Sequence, residues 1–182
     1  ERQTIVLRGA IAQDAGILRL IDPAVSVVLA AARPLPQPVL INVAQVAANG
    51  TLANTTGNNG PEPYEGMLVL IQSATLVSAP PASGSFGNVS IKDASSGSVT
   101  VTMRIESGTD IDGSGDWNAN DVRDVVGILG QFDTSSPHLT GYQIMPRKRS
   151  DITVPIAAPT ITSATPATQA YGLPVTIVGA NF

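Results

Sequence analysis

The sequence predicts an all-β chain organised around a small five-stranded barrel, with further β-segments on either side of it. Short runs rich in Val, Ile and Thr recur between clusters of Gly, Pro, Asn, Asp and Ser, which is the punctuation of strands joined by turns. Charged residues are 13% of the chain and aromatic residues 4%, against a usual charged share of about 25%. That is the profile of β-rich extracellular modules.

The elements follow in order. Residues 3–12 (QTIVLRGAIA) are rich in β-branched side chains, and 16–21 and 25–30 follow turn signals at Asp14-Ala15-Gly16 and Asp22-Pro23, which predicts three short strands. Pro34, Pro36 and Pro38 impose an extended connector, because each Pro also drives the residue before it out of the helical region. Residues 39–42 read as another strand or sheet edge and 43–48 as one helical turn. Residues 49–63 (NGTLANTTGNNGPEP) are small and polar, as an exposed loop requires. Strand candidates then fall at 65–78, 86–93, 98–105, 121–132 and 141–146, a spacing that suits a small barrel. The chain divides into N-terminal β-segments (1–48), the polar loop (49–63), the barrel (64–154) and a terminal segment (155–182).

Composition excludes several classes. A chain of 182 residues is long enough to bury a core without metals or disulfides. It contains no Cys, which removes disulfide frameworks, Cys-ligated zinc and thiol chemistry. The most apolar stretch, 16–32, carries Arg19, Asp22 and Pro23 and is short for a span of about 20 residues, so no transmembrane helix is expected. Net charge is -4 and the pI about 4.8, which disfavours phosphate backbones and anionic membranes as partners. The sequence begins at Glu1 with neither Met nor a charged-then-apolar leader; a secretion signal is expected to have been removed or to lie outside this piece.

The runs EPYEGMLVLIQSATL, FGNVSIKD, VTMRIESGTDIDG, VVGILGQFD and GYQIMPRKRSDI, from residue 62 to about 154, resemble the OB-fold-like modules of secreted bacterial proteins, including those beside extracellular nucleases and lamin-tail domains. The resemblance implies an OB-type Greek-key barrel in an exported multidomain protein, with no catalytic site of its own. The terminal segment 159–182 resembles the opening of the IPT/TIG class of immunoglobulin-like domains through Pro159, Ile161, Ser163, Pro166, Gly172, Val175, Thr176, Ile177, Gly179, Asn181 and Phe182. That likeness implies binding or spacing at a cell surface. It also implies two strands whose apolar face needs partners from elsewhere. Finally, Val6-Leu7-Arg8-Gly9, Gln13-Asp14, Gly16-Ile17-Leu18 and Asp22 echo Val125-Val126-Gly127, Gln131-Phe132-Asp133, Gly141-Tyr142-Gln143 and Asp151. The echo makes the first 30 residues the back half of a preceding related barrel; two unrelated strand pairs with turn glycines is the alternative.

Three motifs carry chemistry. Residues 110–121 (DIDGSGDWNAND) place oxygens at loop positions 1, 3, 5, 9 and 12 and Gly115 at position 6, the spacing of a calcium loop. Asp110, Asp112, Ser114, Asn118 and Asp121 are the candidate side-chain ligands and Asp116 the carbonyl ligand of a structural Ca2+. Ser114 and Asp121 replace better ligands, and a plain Asp/Gly/Ser/Asn turn between strands is the competing reading. Arg147, Lys148 and Arg149, preceded by His138 and Tyr142, form a basic edge that could cradle single-stranded nucleic acid or glycan, with a solvated strand end as the alternative. Asn54 and Asn88 begin Asn-x-Ser/Thr glycosylation triplets. An enzyme is not expected. His138 is the only histidine, and Glu62 with Glu65, or Asp121 with Asp124, have no context that would separate an acid from a base.

These readings lead to an expected function of connection: an extracellular or cell-surface module, bacterial, joined to identical subunits or flanking domains by β-strand pairing and capable of forming a filament. The rival is an accessory binding domain of a secreted nuclease or hydrolase, acting through the 147–149 edge.

Overall fold

The computed structural model describes residues 3–31, 36–48, 61–82, 84–111, 116–157, 159–168 and 170–181. They form an all-β protein with a closed five-stranded barrel between two antiparallel strand pairs. In chain order the elements are β1 (Gln3–Asp14), β2 (Ile17–Ala31), β3 (Val39–Leu40), α1 (Val43–Ala47), β4 (Leu68–Leu76), β5 (Gly87–Lys92), β6 (Val101–Ile105), β7 (Val122–Gln131), β8 (Tyr142–Met145), β9 (Ile152–Thr153), β10 (Thr160–Thr165) and β11 (Thr176–Ala180). The predicted polar loop lies, through residue 60, outside the described residues.

The barrel closes because β4 pairs on both sides, with β5 and with β7, while β5 pairs with β6 and β8 with β7, all antiparallel. The remaining seam, β6 to β8, is parallel. This is the ring order of an OB-type Greek-key barrel. Alternation makes the core: β6 buries Val101, Met103 and Ile105, and β8 buries Tyr142 and Ile144, since successive side chains point to opposite faces. β4 keeps its apolar residues inward across a bulge, with Ser73 at φ 52 and its N–H donated to Asp124 Oδ1 at 2.8 Å. Gly127 is required where β7 meets β8, because a Cβ there would lie 2.7 Å from Ile144 Cγ2 and 2.9 Å from the Met145 carbonyl.

The short helix α1 lays Val43 and Val46 on this core. Its start is fixed by a capping box in which Asn42 Oδ1 accepts the Gln45 N–H and Gln45 Oε1 accepts the Asn42 N–H, satisfying two otherwise orphaned donors. Asp93 Oδ2, beyond β5, accepts the Val43 N–H at 2.9 Å and ties the helix to the barrel. Trp117 is buried, with its Nε1–H donated to the Ser78 carbonyl at 2.9 Å.

The N-terminal pair differs from expectation. Ala15 and Gly16 both have positive φ, 48 and 96, the mirror-image turn whose twist suits a two-residue hairpin. Beyond it β2 runs unbroken through Asp22 and Pro23, where a break had been predicted. A bulge absorbs both residues: Asp22 takes φ 49, and the register passes from Arg8↔Ala24 to Ala10↔Ile21. In a two-stranded ribbon each strand is an edge, so a proline there removes no necessary ladder bond.

Candidate functional site

Three regions compete as the functional surface: the 106–121 loop with the basic edge, a polar cluster at the β7–β8 end, and the two terminal hairpins. The first two are built mainly of internal contacts. Asp112 and Ser114 lie outside the described residues, as does Asn54. Asp110 Oδ1 accepts the backbone N–H of Arg149 at 2.6 Å, and the side chain of Arg149 is ion-paired with Asp116. The Asp116 side chain is buried, and its Oδ2 has no hydrogen-bond partner. Asp121 Oδ2 accepts the Asn118 N–H at 3.0 Å and is paired with Arg123 at 2.7 Å. Asp110, Asp116 and Asp121 are thus each engaged, through at least one oxygen, by Arg149, Arg123 or a backbone donor. Among the described residues no cluster of three or more His, Cys, Asp or Glu is placed to hold a metal ion.

The basic edge is similarly occupied. Arg147 grips Asp151 with Nε and Nη2, each at 2.9 Å, and donates its own N–H to the same carboxylate at 3.0 Å. The Asp151 side chain is only 4% exposed. Burial pushes its carboxyl up, but the Arg147 guanidinium and N–H, with Lys148 nearby, hold it below the usual carboxylate range. Tyr142 is not on this edge. It is buried, and its hydroxyl donates to the Glu62 carboxylate; burial first, then that bond and the charges of Glu62, Glu65 and Asp133, raise its pKa. Glu65 is also raised, by desolvation and by Glu62.

At the β7–β8 end the buried Asp133 accepts the Ser135 N–H at 2.8 Å and both the hydroxyl and N–H of Thr140, at 2.7 and 3.1 Å. The Thr140 hydroxyl is the leading cause of its lowered pKa. The His138 Nδ1 sits 2.8 Å from the Asp133 carbonyl oxygen. Gln131, also buried, donates to the carbonyls of His138 and Thr140 at 2.6 and 2.8 Å. The group fixes the 132–141 turn. It also receives the tip of the N-terminal hairpin, since the Asp133 N–H donates to the Ala15 carbonyl at 2.8 Å.

The hairpins are different in kind. Among the described residues β1 pairs only with β2, and β10 only with β11. The register of the second places Ile161 opposite Gly179 and Ala164 opposite Ile177, with Thr160, Ser163, Thr165, Thr176 and Val178 on the other face. Ile161, Val175 and Ile177, spaced to share the first face, are 65%, 46% and 53% exposed. In the first hairpin Ile11 and Leu20 are cross-strand partners. Leu7 precedes Ile11 by four and Leu18 precedes Leu20 by two, so all four share a face, and all are exposed.

Sequence reasoning located the hairpins and missed the buried carboxylates. Asp151 had the spacing of an Arg-x-x-x-Asp pair as its available signal; Asp133 had only its Asp-Thr-Ser turn. No helix among the described residues is long and apolar enough to cross a membrane. No protein-family model matches the chain, and no curated protein or solved structure matches it either.

Proposed function

We propose that the protein is a non-enzymatic structural module that connects neighbouring subunits or domains through its terminal β-hairpins, at a bacterial surface or in the extracellular space. One observation carries this reading: a barrel with a closed apolar core stands beside two strand pairs whose apolar faces are exposed. A two-stranded hairpin is marginal in water by itself, and a third strand or a packed face is what stabilises it. Both hairpins also leave outer strand edges unpaired among the described residues, and such edges are templates for strand addition. The low charge, the β-branched termini and the two motif resemblances support an exported setting. Head-to-tail contact between the first hairpin of one copy and the last hairpin of the next is heterologous, and heterologous contacts propagate into filaments.

Sedimentation velocity and negative-stain electron microscopy of the full chain across a dilution series test the proposal. Concentration-dependent linear oligomers are the expected result. Monodisperse monomers at every concentration, with both hairpins removed by protease while the barrel is left unchanged, would overturn self-association.

A further inference from the structure

The outer face of β4 and β7 carries an apolar groove of about 700 Å³, lined by Pro38, Val39, Met67, Leu68, Val126 and Ile128, with Arg147 and Asp151 on one side. None of its lining residues comes from β5 or β6. We propose that this groove is the seat of the terminal β10–β11 hairpin of a second copy of the chain. The inference rests on the connecting role and names the surface that receives the hairpin.

The groove has the width of a hairpin. Leu68 lies opposite Ile128, and Leu70 opposite Val126, in the β4–β7 ladder. These side chains therefore point outward from two adjacent strands, while Val69, Val125 and Leu129 fill the core. β3 flanks β4 on the side away from β7, and β8, which leads into Arg147, flanks β7 on the side away from β4. The floor is thus two strands wide with a wall on each side. A hairpin is also two strands wide, and one apolar sheet face packs on another at about 10 Å with its side chains interdigitated.

Charge selects which hairpin fits. The groove's two charges neutralise each other, since Arg147 holds Asp151 with two nitrogens at 2.9 Å. An occupant bringing a further charge would desolvate it beside a pair already closed on itself. The first hairpin carries Arg8, Asp14, Arg19 and Asp22, whereas residues 152–182 contain no Asp, Glu, Lys, Arg or His. The apolar face of the last hairpin, with Ile161, Val175 and Ile177, is exposed in the single chain, and no residue of 152–182 lines the groove. The position also suits strand pairing between copies. Pro36, at the groove, follows the end of β2 at Ala31 by a length of chain that spans at most about 18 Å. A hairpin seated in the groove therefore lies close to the base of the first hairpin of the receiving copy.

Cross-linking of the full chain tests the seat. The chain lacks Cys, so an introduced cysteine is its sole thiol. Met67→Cys is mixed with Ile177→Cys, one of the two copies carrying a tag that identifies the mixed product, and treated with a short bis-maleimide. A mixed product is expected, and none when Leu18→Cys replaces Ile177→Cys. Met67→Glu is expected to weaken association about tenfold or more at an unchanged melting temperature, and Met67→Leu to retain it. If the samples sediment as oligomers but give no Met67–Ile177 product, or if Met67→Glu associates as tightly as the parent, the groove is overturned and the connecting role stands. If no oligomer forms at any concentration, both fall. An intrachain product in the Met67→Cys, Ile177→Cys double variant, at dilutions where the chain is monomeric, would show the groove holding its own hairpin and overturn the second copy as occupant.

Discussion

Arg147→Ala is expected to destabilise the protein by about 2–3 kcal/mol. Removing one partner of a buried pair leaves an uncompensated charge and costs about 3–5 kcal/mol when both groups are buried. Here Asp151 is buried and Arg147 is 44% exposed, so solvent screening reduces the figure. Lys148→Ala, one residue away and on the surface, is expected to change stability by less than about 0.5 kcal/mol. Urea unfolding followed through Trp117, the only tryptophan and a buried one, reads both. The pH dependence fixes the cause. The folded-state pKa of Asp151 lies below its unfolded value, so its contribution is present above the ordinary carboxyl pKa of about 3.9 and is lost as pH falls through the folded value. The difference between parent and Arg147→Ala is therefore expected to narrow in acid. If the variant instead retains full stability and loses affinity for single-stranded DNA, the edge is a ligand surface and the connecting account is weakened.

The double substitution Ile161→Asp with Ile177→Asp is expected to abolish oligomer formation while the barrel unfolds at an unchanged urea midpoint. Both side chains lie on the same face of the terminal hairpin and are more than half exposed. In a free hairpin, aspartate at these positions would stay solvated. In a packed interface, each would be a buried carboxylate without a partner, which costs several kcal/mol. The paired control, Thr160→Asp with Thr165→Asp, places the same charge on the opposite face. Equal loss of assembly in test and control would assign the effect to net charge and remove the face-specific argument.

The barrel was legible in the sequence because its strands bury alternate residues. Val101, Met103 and Ile105 against Thr102 and Arg104 is a period-two pattern, and turn residues bound each run. The length of β2 was not legible. Asp22-Pro23 is a stop signal in a strand with two neighbours, and only the observation that β1 and β2 pair with no other strand among the described residues makes it a tolerated bulge. The 110–121 loop shows a second limit. Its oxygen spacing is a property of twelve adjacent residues, but what engages Asp110 and Asp116 is Arg149, brought there by the β7–β8 hairpin and the turn after it. In the same way nothing adjacent to Asp151 in the sequence marks it as buried; the fold places its side chain at 4% exposure beside Arg147. The seating of the N-terminal hairpin on the barrel was beyond the sequence altogether, since it depends on Gly16, where a Cβ would lie 2.0 Å from Gln131 Oε1.

The claim that the chain ends connect by strand pairing is tested most directly by amide hydrogen exchange at β10 and β11 in the intact protein across a concentration series. Protection of these amides is expected to rise with concentration, in step with oligomer formation, while barrel amides in β4 to β8 stay protected throughout. Fast exchange in both terminal strands at every concentration, including those at which oligomers are present, would contradict it.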